Sequence, residues 1–224
     1  MAELQIIGAP QSNYVWVTRI VCMEKGAPYT LLAAMPHSPE IDAIHPAGKI
    51  PALRHGEVTL AESRAICLYI DRVFEGPSLM PADPVDAART EQWISIVNTH
   101  VDPVLVRQYL GGYFFPQTPD GSPDRKRIDA TLGSMEKQFN MLETAVADKG
   151  GLVSDAFTLA DANLLPILFY LQKMPESGAI FGRMRQLTAY FERHMQRASV
   201  VATLPPPMVG RAQSATQSTT HSAA

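Results

Sequence analysis

The chain has 224 residues, 46% of them hydrophobic and 18% charged, enough apolar material for a real core in one domain or two small ones. A formal net charge of -3 and a pI near 6.1, with no basic run of five residues, exclude nucleic acid and anionic membranes as main partners. Met1-Ala2-Glu3-Leu4 carries neither a basic nor an apolar leader, and no long unbroken apolar run follows, so a cytoplasmic protein is expected.

Leu4-Gln5-Ile6-Ile7 reads as a short strand, broken by Gly8-Ala9-Pro10-Gln11 before a helical stretch over about residues 13–25 that stops at Gly26. Tyr29-Thr30-Leu31-Leu32 is a second strand, and so short a crossover makes the two parallel. Ser12 falls at the helix N-terminus, where a hydroxyl either caps the helix or, with the positive end of the dipole, stabilises an anion such as a thiolate. No cysteine lies in this loop, which excludes disulfide exchange there. Cys22 and Cys67 each fall in a helical apolar pattern without a C-x-x-C or His-rich partner, so both are expected in the core, and no metal site is expected.

After a poorly patterned segment, residues 37–47, comes GKIPALRHGEVTLAESRAICLY, Gly48 to Tyr69. Ile50-Pro51-Ala52-Leu53 starts a strand with a proline, which cannot donate to a ladder. His55-Gly56 turns the chain, Val58-Thr59-Leu60 returns it, and Glu62-Ser63 opens a helix with Ser63 as its expected N-cap. Glu62 and Ser63 read either as a turn carboxylate beside a capping hydroxyl or as a grip on both ends of an α-amino acid head group. The order β-α-β-(α)-β-β-α is a thioredoxin-like layout.

FEGPSLMPADP, Phe74 to Pro84, is dense in Gly and Pro and reads as a linker. Asp83 then caps a helix with Pro84 at its first position, running to about Leu110 with an expected kink at Pro103. Ile128, Leu132, Met135, Phe139, Leu142 and Val146 repeat as one amphipathic helix before Gly150-Gly151. Thr158 and Asp161 form a capping box before an apolar run to Leu171, so Asp161 is assigned to structure. A last helix spans about residues 183–197, and the polar remainder has too little apolar content to offset its ordering entropy.

G-K-I-P-A-L followed after eight residues by E-S-R-A-I resembles the glutathione-binding segment of cytosolic glutathione transferases. Gly8-x-Pro10-x-Ser12 with Val15, Arg19 and Glu24-Lys25-Gly26 is similar to the first motif of their bacterial-like, serine-type members. The resemblance spans residues 4–203. It implies an α/β plus all-α fold: a thioredoxin-like glutathione-binding domain over 1–76, a linker over 77–84 and an all-helical bundle over 85–203, while the polar composition of 204–224 makes a disordered tail the expectation there. It implies glutathione as co-substrate, a small electrophile as partner, and a homodimer using Leu60, Val73 and Phe74. By position, Ser12 would donate to the glutathione sulfur, with Asn13 and Tyr14 as rivals. Glu62 and Ser63 would hold the γ-glutamyl head, the Ile50 backbone before Pro51 the cysteinyl unit, and Lys49 and His37 the other carboxylate. Tyr14, Val104, Gln108, Tyr113 and Phe115 are the acceptor-pocket candidates. Trp16, His45 before Pro46, and Asp102-Pro103 depart from common family residues. The competing reading is a non-catalytic, glutathione-transferase-like regulatory module.

Overall fold

Four strands, β1 (Leu4–Ile7), β2 (Tyr29–Leu32), β3 (Ala52–His55) and β4 (Val58–Ala61), pair in the order β2-β1-β3-β4 in a computed structural model that describes residues 2–147 and 149–207. β1 and β2 are parallel, bridged by α1 (Asn13–Glu24), while β3 runs antiparallel to both β1 and β4. α1 and α3 (Ser63–Val73) cover one face over Leu4, Ile6 and Leu53, and the short α2 (Pro39–Asp42) seats Ile41 against Ile7 and Ala52. Ile6 and Ile7 point to opposite faces, as the strand period requires, and both faces are covered. This is why β1 barely alternates in sequence.

α1 is also covered from outside by the helical half of the chain. Trp16 is fully buried, meets Phe169 edge to face with ring centroids 4.8 Å apart, and donates its Nε1–H to Thr203 Oγ1 at 2.9 Å. Between α3 and the next helix the chain is pinned. Buried Lys25 Nζ donates to the carbonyls of Gly76 and Pro77 and pairs with buried Asp71, whose carboxylate also accepts from Leu79 N at 2.8 Å.

α4 (Pro84–Ile96) starts as expected, with Asp83 accepting from Val85 N and Asp86 N and Pro84 at the first position. It continues without a break through a stretch of wide π-type turns, Val97–Leu110, into α5 (Gly111–Phe114). Pro103 lies inside the wide turns; lacking an N–H and clashing with the carbonyl four residues back, it does not suit the α-helical ladder, and π-type bonding is the alternative route. The single amphipathic helix expected over Ile128 to Val146 is two: α6 (Arg125–Asp129) and α7 (Leu132–Ala145). Thr131 divides them. It is buried, its hydroxyl donates to Ile128 O at 2.6 Å, and its own carbonyl accepts from Met135 N, so it ends one helix and begins the other.

α8 (Leu159–Leu171) carries the expected capping box and is buried on nearly every side, packing on α1, α4 and the π-type stretch. α9 (Pro175–Phe181) is an element that the sequence pattern does not announce; α10 (Arg185–Met195) and α11 (Ala198–Val201) close the bundle. Cys22 and Cys67 are buried and unbridged, and burial pushes both thiols well up, Cys67 to about 12. Among the described residues no helix is long and apolar enough to cross a membrane. Of the expected disordered tail, residues 208–224 lie outside the described residues.

Candidate active site

The sheet register gathers most of the singled-out residues at one end. Ile7 stands opposite Ala52 and Ala52 opposite Ala61, so Gly8, Pro51 and Glu62 form the next row beyond the ladder, spanning two strand spacings of about 4.8 Å each. α1 and α3 both begin at this end, bringing Ser12 and Ser63 with them. Gly8 is required by a close approach: a Cβ there would lie 2.6 Å from the Val15 side chain and 3.1 Å from Ile50 Cβ. Ile50-Pro51 is a cis peptide with Pro51 buried and Ile50 half-buried.

Ser12 is the N-cap of α1 in an extended conformation, half-buried, with its Oγ accepting from Val15 N at the long distance of 3.5 Å. Accepting leaves the hydroxyl proton uncommitted, and among the described residues it donates to none. A cap and an anion donor are therefore compatible in one side chain. Of its neighbours, Asn13 is the first helical residue, whereas Tyr14 donates its hydroxyl to Asn98 Oδ1 at 3.2 Å under the Arg107 guanidinium. Burial, then Asp102, push the Tyr14 phenol well above its usual 10, which disfavours a tyrosinate.

Ser63 is not the N-cap of α3. Glu62 takes that position with φ +69, in the left-handed region, and no side chain caps the helix; Ser63 is its first residue. The sequence favours the hydroxyl as cap because serine is common there. The register carries β4 to Ala61, one residue past the expected Leu60, and leaves the turn to Glu62. A non-glycine residue in the left-handed region is held at a cost of about 1–2 kcal/mol. The consequence is an α3 N-terminus with uncapped N–H groups, a half-buried Ser63 hydroxyl and a Glu62 carboxylate projecting into solvent, side by side.

The loop between α2 and β3 borders this end. Gly48 has φ +61 and lies beneath the His37 imidazole, where a Cβ would be 2.1 Å from Nδ1, and the His37 N–H donates to Gly48 O at 2.8 Å. His37 and Lys49 are thus neighbours, both exposed. His45, in the same loop, is buried at 4% side-chain exposure with Nε2 3.4 Å from Glu62 Oε1.

The acceptor candidates stand in different surroundings. Tyr14 is engaged with Asn98, Tyr113 donates to Glu176 at 2.5 Å, Gln108 and Phe115 are exposed, and Val104 is half-buried. A groove of about 290 Å³ lies elsewhere, between Phe114, Phe169, Tyr170, Lys173, Met174 and Pro205 to Pro207, and none of the five lines it. Its wall reaches the Ser12 loop, because the Tyr170 hydroxyl donates to Gln11 O at 2.6 Å. The sequence carries no signal for these residues, because Phe169 and Tyr170 end an apolar run with no periodicity.

A mixed four-stranded sheet of this order, with its covering helices followed by a helical bundle, defines a thioredoxin-like domain joined to an all-α domain. The N-terminal and C-terminal glutathione S-transferase domain families match residues 6–78 and 101–198. Glutathione S-transferase 3 of Zea mays is 33% identical, with 92% of this chain and 98% of that one covered. Among solved structures, glutathione transferase F7 from Populus trichocarpa superposes with a TM-score of 0.81 at 25% identity, over 89% of this chain and 97% of that one. A glutathione S-transferase-I bound with lactoylglutathione superposes at 0.80 with 25% identity, over 90% and 98%. The chain belongs to the glutathione S-transferase family and is by that membership a glutathione transferase.

Proposed function

We propose that this enzyme binds glutathione across the end of the sheet formed by Gly8, Pro51 and Glu62, activates its thiol as thiolate beside Ser12, and transfers it to a small apolar electrophile. The observation that carries the reading is the convergence of the α1 and α3 N-termini, with Ser12, Ser63 and the Glu62 carboxylate, on one row of the sheet. The Ser63 hydroxyl and the uncapped N–H groups of α3 suit the γ-glutamyl carboxylate, and Glu62 suits its ammonium. The Ile50 backbone faces the cysteinyl unit, Lys49 supplies positive charge for the far carboxylate, and His37 places its imidazole beside it. A glutathione derivative bound by a relative of the same fold supports the ligand class.

In the reaction the thiol proton leaves to solvent, the Ser12 O–H donates to the sulfur anion, and sulfur attacks the electrophilic carbon. With an activated nitroaryl chloride, a C–S bond forms, the C–Cl bond breaks and chloride departs. The aromatic groove between Phe114, Phe169, Tyr170 and Met174 seats the acceptor, tied to the Ser12 loop through Tyr170 and Gln11.

Glu62→Gln is expected to weaken glutathione binding about tenfold, and Ser63→Ala by several-fold, the carboxylate's 73% exposure keeping the effect at the low end for a charge-assisted bond. Calorimetric titration with glutathione checks this, and unchanged affinity in both variants would rule the assignment out. The pair of domains and the partly exposed Leu60, Val73 and Phe74 further support a homodimer, as in the family resemblance. Light scattering at micromolar concentration should return twice the 24.5 kDa chain mass; a monomer mass would contradict it.

A further inference from the structure

Glu62 has to hold its carboxylate toward the sheet end from an exposed turn, and nothing on its own helix restrains it. Its side chain caps no helix, its backbone is left-handed, and among the described residues one polar side chain meets the carboxylate: His45. That histidine is well anchored. It follows α2, its N–H donates to Ile41 O at 2.7 Å, its carbonyl accepts from Gly48 N at 2.9 Å, and its ring is buried. The ring orientation is set from within the loop, since Ala47 N–H donates to Nδ1 at 3.1 Å. A nitrogen that accepts carries no proton, so the neutral ring holds its proton on Nε2, the atom 3.4 Å from Glu62 Oε1.

We infer that His45 is a positioning residue for glutathione: its ring, with Nε2 3.4 Å from Oε1, stands against one side of the Glu62 carboxylate and restricts its rotamers so that the other oxygen faces the γ-glutamyl ammonium. This rests on the reading of Glu62 given above. The chain of restraint runs from α2 through the Ala47 amide and the His45 ring to an otherwise free carboxylate. Bound glutathione then meets an acceptor already oriented, and less rotamer entropy is lost on binding.

Two substitutions separate the contact with Glu62 from the packing of the loop. His45→Asn keeps an acceptor for the Ala47 N–H but ends short of Glu62. His45→Gln offers both an acceptor and a donor that reaches. His45→Asn is expected to raise KM for glutathione about threefold to tenfold with kcat within about twofold, measured with an activated nitroaryl chloride, and His45→Gln to stay near the unmodified enzyme. In a Glu62→Ala background, which removes the whole carboxylate, His45→Asn is expected to add little, because the partner it acts through is gone. An equal effect of His45→Asn in both backgrounds, a loss in kcat rather than KM, or a His45→Gln variant as impaired as His45→Asn would overturn the positioning role. If Glu62→Gln weakens glutathione binding and His45→Asn does not, His45 alone loses its role. If Glu62→Gln has no effect, the reading of Glu62 falls and His45 with it.

Discussion

Replacing Ser12 with alanine is expected to slow conjugation about tenfold to a hundredfold near pH 6.5 and by much less near pH 9, with glutathione affinity little changed. A free thiol titrates at about pH 8.5, so near neutrality only a few per cent is thiolate without help. A hydroxyl that donates to the sulfur stabilises the anion and lowers its pKa; losing a bond of about 1.5–3 kcal/mol raises that pKa by about one to two units. The deficit is therefore largest below the variant's thiol pKa and closes as pH rises through it. The same substitution also removes the α1 cap, but at 3.5 Å that bond is long, and a cap is worth about 1 kcal/mol. Stability should thus fall slightly while turnover falls steeply. A variant with unmodified rates and an unshifted thiolate absorbance titration would shift the role to Asn13, since the Tyr14 hydroxyl is committed to Asn98.

The largest effect on stability is expected at Asp161. Its fully buried carboxylate accepts four hydrogen bonds: from Leu152 N at 2.9 Å, Thr158 N at 2.8 Å, Thr158 Oγ1 at 2.7 Å and Tyr190 Oη at 3.0 Å. These tie the loop before α8, the start of α8 and α10 to one side chain. Asp161→Ala leaves all four donors in a dry site. Each unsatisfied donor costs about 1–3 kcal/mol, and because they share one carboxylate the sum is smaller than four separate losses. A loss of about 4 kcal/mol or more follows, out of a typical total of about 5–15 kcal/mol, lowering the melting temperature by about 8–16 °C. Urea denaturation of the two proteins measures it. A loss below about 1 kcal/mol would show that water or loop rearrangement satisfies the donors, and that the capping box is incidental.

The elements with local chemistry are legible along the chain. Asp83-Pro84 and Thr158 with Asp161 cap where expected because a cap is decided within four residues, and β1, β2 and the first helix stand within a residue or two of their expected bounds. Ser12 stands at a helix N-terminus, as expected, for the same reason. Local reasoning fails where a neighbour intervenes. Thr131 splits a continuous apolar stripe because its hydroxyl takes a backbone carbonyl, which periodicity does not register. Ser63 loses the cap to Glu62 because the pairing of Ala61 with Ala52 sets where β4 ends.

By itself, then, the sequence determined the order of strands and helices in the thioredoxin-like half, the family, and which residue types stand at the start of α1 and α3. Turn chemistry, caps and hydrophobic period act over a few residues and are written along the chain. Tertiary structure decided what those residues meet. Strand register, a non-local property, places Gly8, Pro51 and Glu62 in one row, and burial of Ile41 and the His45 ring within an otherwise largely exposed 37–49 segment brings His45 beneath Glu62, 17 residues away in sequence. The aromatic groove likewise exists only because α8, buried all round and so without a periodic signature, ends beside Phe114 and the Pro205 to Pro207 segment.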